Sequence, residues 1–91
     1  MRMLPKNRPP SHPGEILLEE FLKPREMTQS ELSEQLEIPL QRVNSIINGK
    51  RGVTPETAIL LARFLETTAE FWMNLQTQYD LWFAERAMSK T

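Results

Sequence analysis

No cysteine occurs among the 91 residues, which excludes disulfides and thiolate metal sites. Glycine is almost as scarce. Three scattered copies cannot build a glycine-rich phosphate loop. There is one histidine, His12, and one aspartate, Asp80, and the glutamates fall mostly on outward helical positions. No His/carboxylate cluster has metal-ligand spacing, and nothing supplies the convergent titratable groups that catalysis needs. Neither a catalytic residue nor a metal or other cofactor is therefore expected. No apolar run approaches the roughly 20 residues needed to span a bilayer, and no signal-peptide core follows Met1. The expectation is a cytoplasmic protein with no membrane contact.

An excess of either charge is also lacking. Lysine and arginine number 11 against 12 acidic residues, leaving a net charge of −1 and a pI near 5.8. That balance argues against indiscriminate polyanion binding but leaves room for a local basic patch. Such a patch exists. Residues 38–63 carry Arg42, Lys50, Arg51 and Arg63 against Glu56 alone, whereas residues 15–37 hold seven carboxylates and two cations. The length allows one domain with a modest core, small enough for self-association to add stability.

The most informative stretch runs from Thr28 to Arg51. Thr28 and Glu31 have capping-box spacing. Leu32 and Leu36 share one helical face, with Ser33 small enough for a neighbouring helix to approach. Glu37-Ile38-Pro39 interrupts that helix, because proline disfavours helical geometry in the residue before it. Pro39 suits the first position of a second helix. There Val43, Ile46 and Ile47 form a buried stripe, while Gln41, Asn44, Ser45 and Asn48 line the opposite face. That face carries no acid and is rich in groups that both donate and accept. Glutamine and asparagine amides match the donor–acceptor pair of adenine in the major groove, and Arg42 suits guanine or phosphate. Asn48-Gly49 closes the helix with a residue able to go left-handed, and the cationic pair Lys50-Arg51 follows. On pattern alone, such a face is equally a DNA-reading face or a solvated one; the local charge favours DNA.

The rest of the chain supplies support. Residues 1–12 form a proline-rich basic arm, expected to be flexible. His12-Pro13-Gly14-Glu15 opens the first helix, with Leu17, Leu18, Phe21 and Leu22 inward and Pro24 ending it. His12 suits a helix start better than a chemical role. Thr54, Pro55 and Glu56 start another helix, in which Ala58, Leu61, Ala62 and Leu65 form a stripe widened by Ile59, Leu60 and Phe64. Thr67-Thr68 caps the last helix. There Trp72, Leu75, Tyr79, Trp82 and Arg86 recur close to a heptad seam. Its end places Trp82 and Phe83 where a small monomer has little to cover them. Trp72, Leu75, Tyr79, Trp82 and Phe83 are the candidate dimer or partner surface. The alternative is that these rings fold back onto the first helix. Met27 and Met73 sit where gap-filling would place them.

The pattern predicts an all-α, five-helix domain with a helix-turn-helix over about 28–48, the domain spanning 13–88 and a tail at 89–91. Three blocks, HPGEIL, NGKRGVTPETA and EFWMNLQTQYDL, make the chain resemble the HigA family of antitoxins. This family is close to the VapI-type proteins and lies within the phage-repressor and Cro-like helix-turn-helix group. The resemblance covers roughly residues 10–83. It implies a homodimeric repressor of its own operon that binds double-stranded operator DNA. It also implies a partner, a HigB-type toxin that acts as a ribosome-associated mRNA endonuclease. Carried over by position, Gln29 would anchor the first reading-pair helix to phosphate. Leu40, Gln41 and Ser45 would face base edges with Arg42 and Asn44 adjacent, and Asn48, Lys50 and Arg51 would meet the backbone. Two positions depart from the pattern. Glu37 stands where such turns often carry glycine, at a cost of roughly 1 kcal/mol for a left-handed backbone. Leu40 replaces a polar residue and can touch only a thymine methyl. A stand-alone helix-turn-helix regulator and a protein-interaction module without DNA function are the competing readings.

Overall fold

The computed structural model describes residues 8–89. The first seven residues of the proposed arm and the last two of the tail lie outside the described residues. Five helices follow one another: α1 (helical over 13–22), α2 (Gln29–Leu36), α3 (Leu40–Ile47), α4 (Pro55–Leu65) and α5 (Ala69–Ser89). Among the described residues there is no strand, and no helix is long and apolar enough to cross a membrane. The core gathers Leu17, Leu22, Leu32, Leu36, Val43, Ile46, Val53, Ala58, Leu61, Leu65 and Trp72. Each helix therefore contributes through the stripe that its periodicity marks.

α1 is less regular than its sequence suggests. Pro13–Ile16 is α-helical, and Leu17–Leu22 continues as a π-helix. The wider turn is marked by the Lys23 N–H donating to the Leu18 carbonyl at 2.9 Å, five residues back. It leaves Leu17 and Leu22 both buried, while Leu18 and Phe21 pack at the margin of the core.

The start of α1 is set by three adjacent residues. His12 is the N-cap, its Nδ1 accepting the Gly14 N–H at 2.9 Å, and Pro13 occupies the first turn. Gly14 lies directly against the end of α3, so close that a β-carbon there would overlap the carbonyl of Ile46. Only glycine allows that approach. The His12 ring also meets the edge of Tyr79 from α5, with centroids 4.8 Å apart.

Three residues that are not glycine are left-handed: Glu37 and Glu66 cap α2 and α4, with φ of 57° and 59°, and Glu26 closes the turn that follows α1, with φ of 53°. The strain anticipated at Glu37 is present, and two further glutamates share it at roughly 1 kcal/mol each. Each stop is closed by a backbone bond. Met27 N–H reaches Leu22, Ile38 N–H reaches Ser33, and Thr67 N–H reaches Ala62, all carbonyls five residues back.

Several expectations need correcting. Pro39 is the N-cap of α3, not its first helical residue, because its extended ψ of 142° places it just outside. Ile59 is 43% exposed and does not join the buried stripe of α4, whose inner face is Thr57, Ala58, Leu61 and Leu65. Trp72, named above as an interface residue, has no exposed surface. Its indole N–H donates to the Thr67 hydroxyl at 2.8 Å and its ring closes the core, leaving Thr68 alone to cap α5. Trp82 is also covered, 8% exposed under the guanidinium of Arg86, whereas Phe83 remains 44% exposed.

Gly14→Ala should cost on the order of 3 kcal/mol, since the clash is with backbone that cannot rotate away; urea titration of the variant measures it. Acid should also weaken the fold. Burial pushes the His12 pKa below its ordinary value of 6.5, against an opposing pull from Asp80. A protonated Nδ1 could no longer accept the Gly14 amide. The stabilisation is thus complete above about pH 6.5 and is lost as pH falls through the lower folded value. Thermal midpoints recorded from pH 8 downward should drop for the wild type. They should drop less for His12→Asn, whose oxygen keeps the cap.

Candidate nucleic-acid interface

The helix-turn-helix is assembled by local bonds. Thr28 and Glu31 complete the capping box, with Glu31 Oε1 accepting the Thr28 N–H at 2.8 Å and Thr28 Oγ1 accepting the Glu31 N–H at 3.1 Å. This starts α2 at Gln29. At its other end the Ser33 hydroxyl donates to the Ile38 carbonyl at 2.8 Å, bracing the turn. The Pro39 carbonyl then accepts from Arg42 and Val43, and α3 begins.

α3 presents the two faces that its sequence predicts. Val43 and Ile46 are buried at 1% and 2%, and Ile47 is half-buried. Outward stand Leu40, 46% exposed, with Gln41, Asn44 and Asn48. Ser45 and Arg42 are half-buried at the margins. The outer amides form a chain: Asn48 Nδ2 donates to Asn44 Oδ1 at 3.1 Å, and Asn44 Nδ2 donates to Gln29 Oε1 at 3.2 Å. Asn44 is thereby held in one orientation, and the two helices are tied across the turn. Gln29, Leu40, Gln41 and Asn44 also share an open hollow with Thr28 and Ser30. Seven of the nine candidate DNA residues thus lie within one α2–α3 surface.

The other two, Lys50 and Arg51, follow from how α3 ends. Gly49 adopts φ 75°, its N–H donates to Ile46, and the Lys50 N–H donates to Ser45 at 2.9 Å. This is a Schellman closure. It turns the chain so that exposed Lys50 and Arg51 leave from the end of α3. Arg51 and Arg42 line a second hollow with Gly52, Thr54, Glu56 and Thr57 at the start of α4. Two guanidinium groups against one carboxylate make it the basic border of the polar face.

Gln76 escapes a reading of the sequence. It is 8% exposed on the inner face of α5, and its Oε1 accepts the Val53 N–H at 2.7 Å, just past the basic pair. Its one visible signal is an uncharged amide four residues after the buried Trp72. On the outer half of α5, Tyr79 touches Phe83 at 4.8 Å and Phe83 touches Trp82 at 5.0 Å. Leu75 packs at the core margin. Leu81 and Met88, not singled out above, are 53% and 74% exposed.

A helix-turn-helix family model matches residues 18–72. Virulence-associated protein I of Dichelobacter nodosus is 44% identical over 82 residues, covering 89% of this chain and 76% of the relative. Antitoxin HigA-1 of Vibrio cholerae is 45% identical over 78 residues, covering 85% and 71%. Among solved structures, the Pseudomonas aeruginosa antitoxin HigA with higBA promoter superposes with a TM-score of 0.86 at 42% identity, covering 89% of this chain and 88% of that one.

Proposed function

Since this chain belongs to the helix-turn-helix family, and within it to the HigA-type antitoxins, we propose that it is a sequence-specific DNA-binding repressor. It binds its own operator, represses its own operon and neutralises a HigB-type, mRNA-cleaving toxin. The observation that carries the DNA half is the acid-free polar face of α3, bordered by Arg42, Lys50 and Arg51. The Pseudomonas aeruginosa relative, solved with a promoter, supports duplex DNA as the ligand.

Gln41 and Asn44 read base edges in the major groove, with Ser45 beside them and Leu40 against a thymine methyl. Gln29, at the start of α2, takes phosphate, and the amide chain that it shares with Asn44 keeps the reading side chains in register. Arg42, Asn48, Lys50 and Arg51 meet the backbone. The toxin half rests on membership of the antitoxin family, and the chemistry of RNA cleavage belongs to the toxin. The protein acts as a cytoplasmic homodimer. Its contact surface is the outer half of α5, centred on Phe83, with Leu75, Tyr79 and Trp82 supporting it from within the protomer.

Two measurements test this. In fluorescence-anisotropy titrations against the duplex upstream of its own reading frame, Gln41→Ala should weaken binding by about 1–3 kcal/mol. Arg51→Ala should weaken operator and scrambled duplex alike and lower the salt slope by about 1. Unchanged titrations for both variants would remove α3 as the reading helix. In light scattering at micromolar concentration the chain should have the mass of two copies, as two-fold binding of half-sites about one helical turn apart requires. Phe83→Asp should reduce it to one. A monomeric wild type would overturn the preformed dimer.

A further inference from the structure

The segment from Gly49 to Thr54 carries the basic border of the polar face and has no regular secondary structure. It is held at both ends. At one end the Gly49 closure ties Lys50 and Arg51 N–H groups to the Ser45 carbonyl; at the other Thr54 caps α4 by accepting the Thr57 N–H. Between them, one side chain reaches across from α5. Gln76 Oε1 accepts the Val53 N–H at 2.7 Å, and its Nε2 donates to Asp80 Oδ1 at 3.0 Å. A β-carbon at Gly52 would come within 2.9 Å of the Gln76 amide, so loop and side chain are in direct contact.

The polarity of this bridge is unambiguous. An amide N–H needs an acceptor and a carboxylate needs a donor, so the glutamine side chain fits in one orientation only. Val53 is itself buried, so removing the glutamine amide would leave its N–H without an acceptor. The bond spans 23 positions and lies two residues from Arg51.

We infer that Gln76 is a positioning residue for DNA binding. From α5 it sets the path of the loop that delivers Lys50 and Arg51 to the phosphate backbone. This inference rests on the DNA-binding reading above. A residue needed only for folding would change stability and leave the number of neutralised phosphates as it was. A positioning residue changes that number, and the salt dependence of binding measures it.

The experiment titrates wild type, Gln76→Leu, Gln76→Glu and the double variant Gln76→Glu/Asp80→Asn against the upstream duplex and a scrambled one. Several salt concentrations are used, well below each melting temperature. Gln76→Leu should bind roughly tenfold more weakly. Its salt slope should be shallower by about 0.9 for each phosphate that is no longer neutralised. Preference for the operator over the scrambled duplex should be retained. Gln76→Glu faces the Asp80 carboxylate and should lose affinity in the same way. In the double variant a carboxylate can accept from both Val53 and the new amide at position 80, so affinity and slope should return. If Gln76→Leu folds poorly, the single and double glutamate variants decide alone. A wild-type slope in the single-site variants, or a weakening that the double variant does not reverse, overturns the assignment. A wild type that does not discriminate between the two duplexes overturns the DNA reading itself, and the inference falls with it.

Discussion

Backbone meets backbone where the start of α1 abuts the end of α3, and the placing of the polar outer face of α3 depends on that contact. Gly14 has no side chain to keep the two apart, and Ile46 and Ile47 offer main-chain atoms that cannot move aside. Such a contact fixes distance more tightly than two side chains could, because no rotamer can relax it. The His12 cap holds α1 at that point, and Tyr79 holds the imidazole from the far side. α3 is therefore braced from behind at its C-terminal end and tied to the start of α2 from its middle, through Asn44 and Gln29. With these two fixings its outer face has little freedom to tilt.

The charge distribution follows the same division. The carboxylates of residues 15–37 stand mostly exposed on α1, α2 and the turns that follow them. Of the cations of residues 38–63, Arg42, Lys50 and Arg51 gather around α3 and the start of α4, and Arg63 stands in the last turn of α4. Near-neutral overall charge and a basic border are thus compatible, since screening confines each to its own neighbourhood at about 10 Å in ordinary salt. For the proposed repressor, attraction to any duplex would be modest, and discrimination would fall to the amides of α3.

What could be read directly from the sequence was what is decided within a few residues. The Thr28–Glu31 box, the Asn48-Gly49 stop, the Thr54-Pro55 start and the Val43–Ile46 stripe are each complete inside one turn or two. So is the strain at Glu37, where a fixed turn geometry meets a residue ill suited to it. The features that escaped depend on distant partners. The π turn in α1 serves a core that no local pattern describes. Glu26 and Glu66 have no intrinsic taste for left-handed backbone, and packing on either side imposes it. Trp72 and Trp82 read as seam residues because periodicity tells which face a residue is on. It does not tell whether that face is covered by the same chain. Gln76 is the clearest case, since its partner lies 23 residues away. Of the candidate DNA site, the residue types and their face were legible. The amide chain that orders them and the loop's anchorage on α5 were not.

The length of α5 has a mechanical consequence. The helix is clamped by Trp72 and Gln76 and again where Tyr79 meets the His12 ring, and it runs on for 10 residues from Tyr79 to Ser89. That outer arm is about 15 Å long, so rocking by about 5° displaces its tip by about 1 Å. The Val53 bond lies on the clamped side of the fulcrum and scarcely moves. Compliance is thus concentrated at one end of the lever and stiffness at the other. Whatever grips the tip can shift by part of an atom's width while the loop behind the pivot keeps its place.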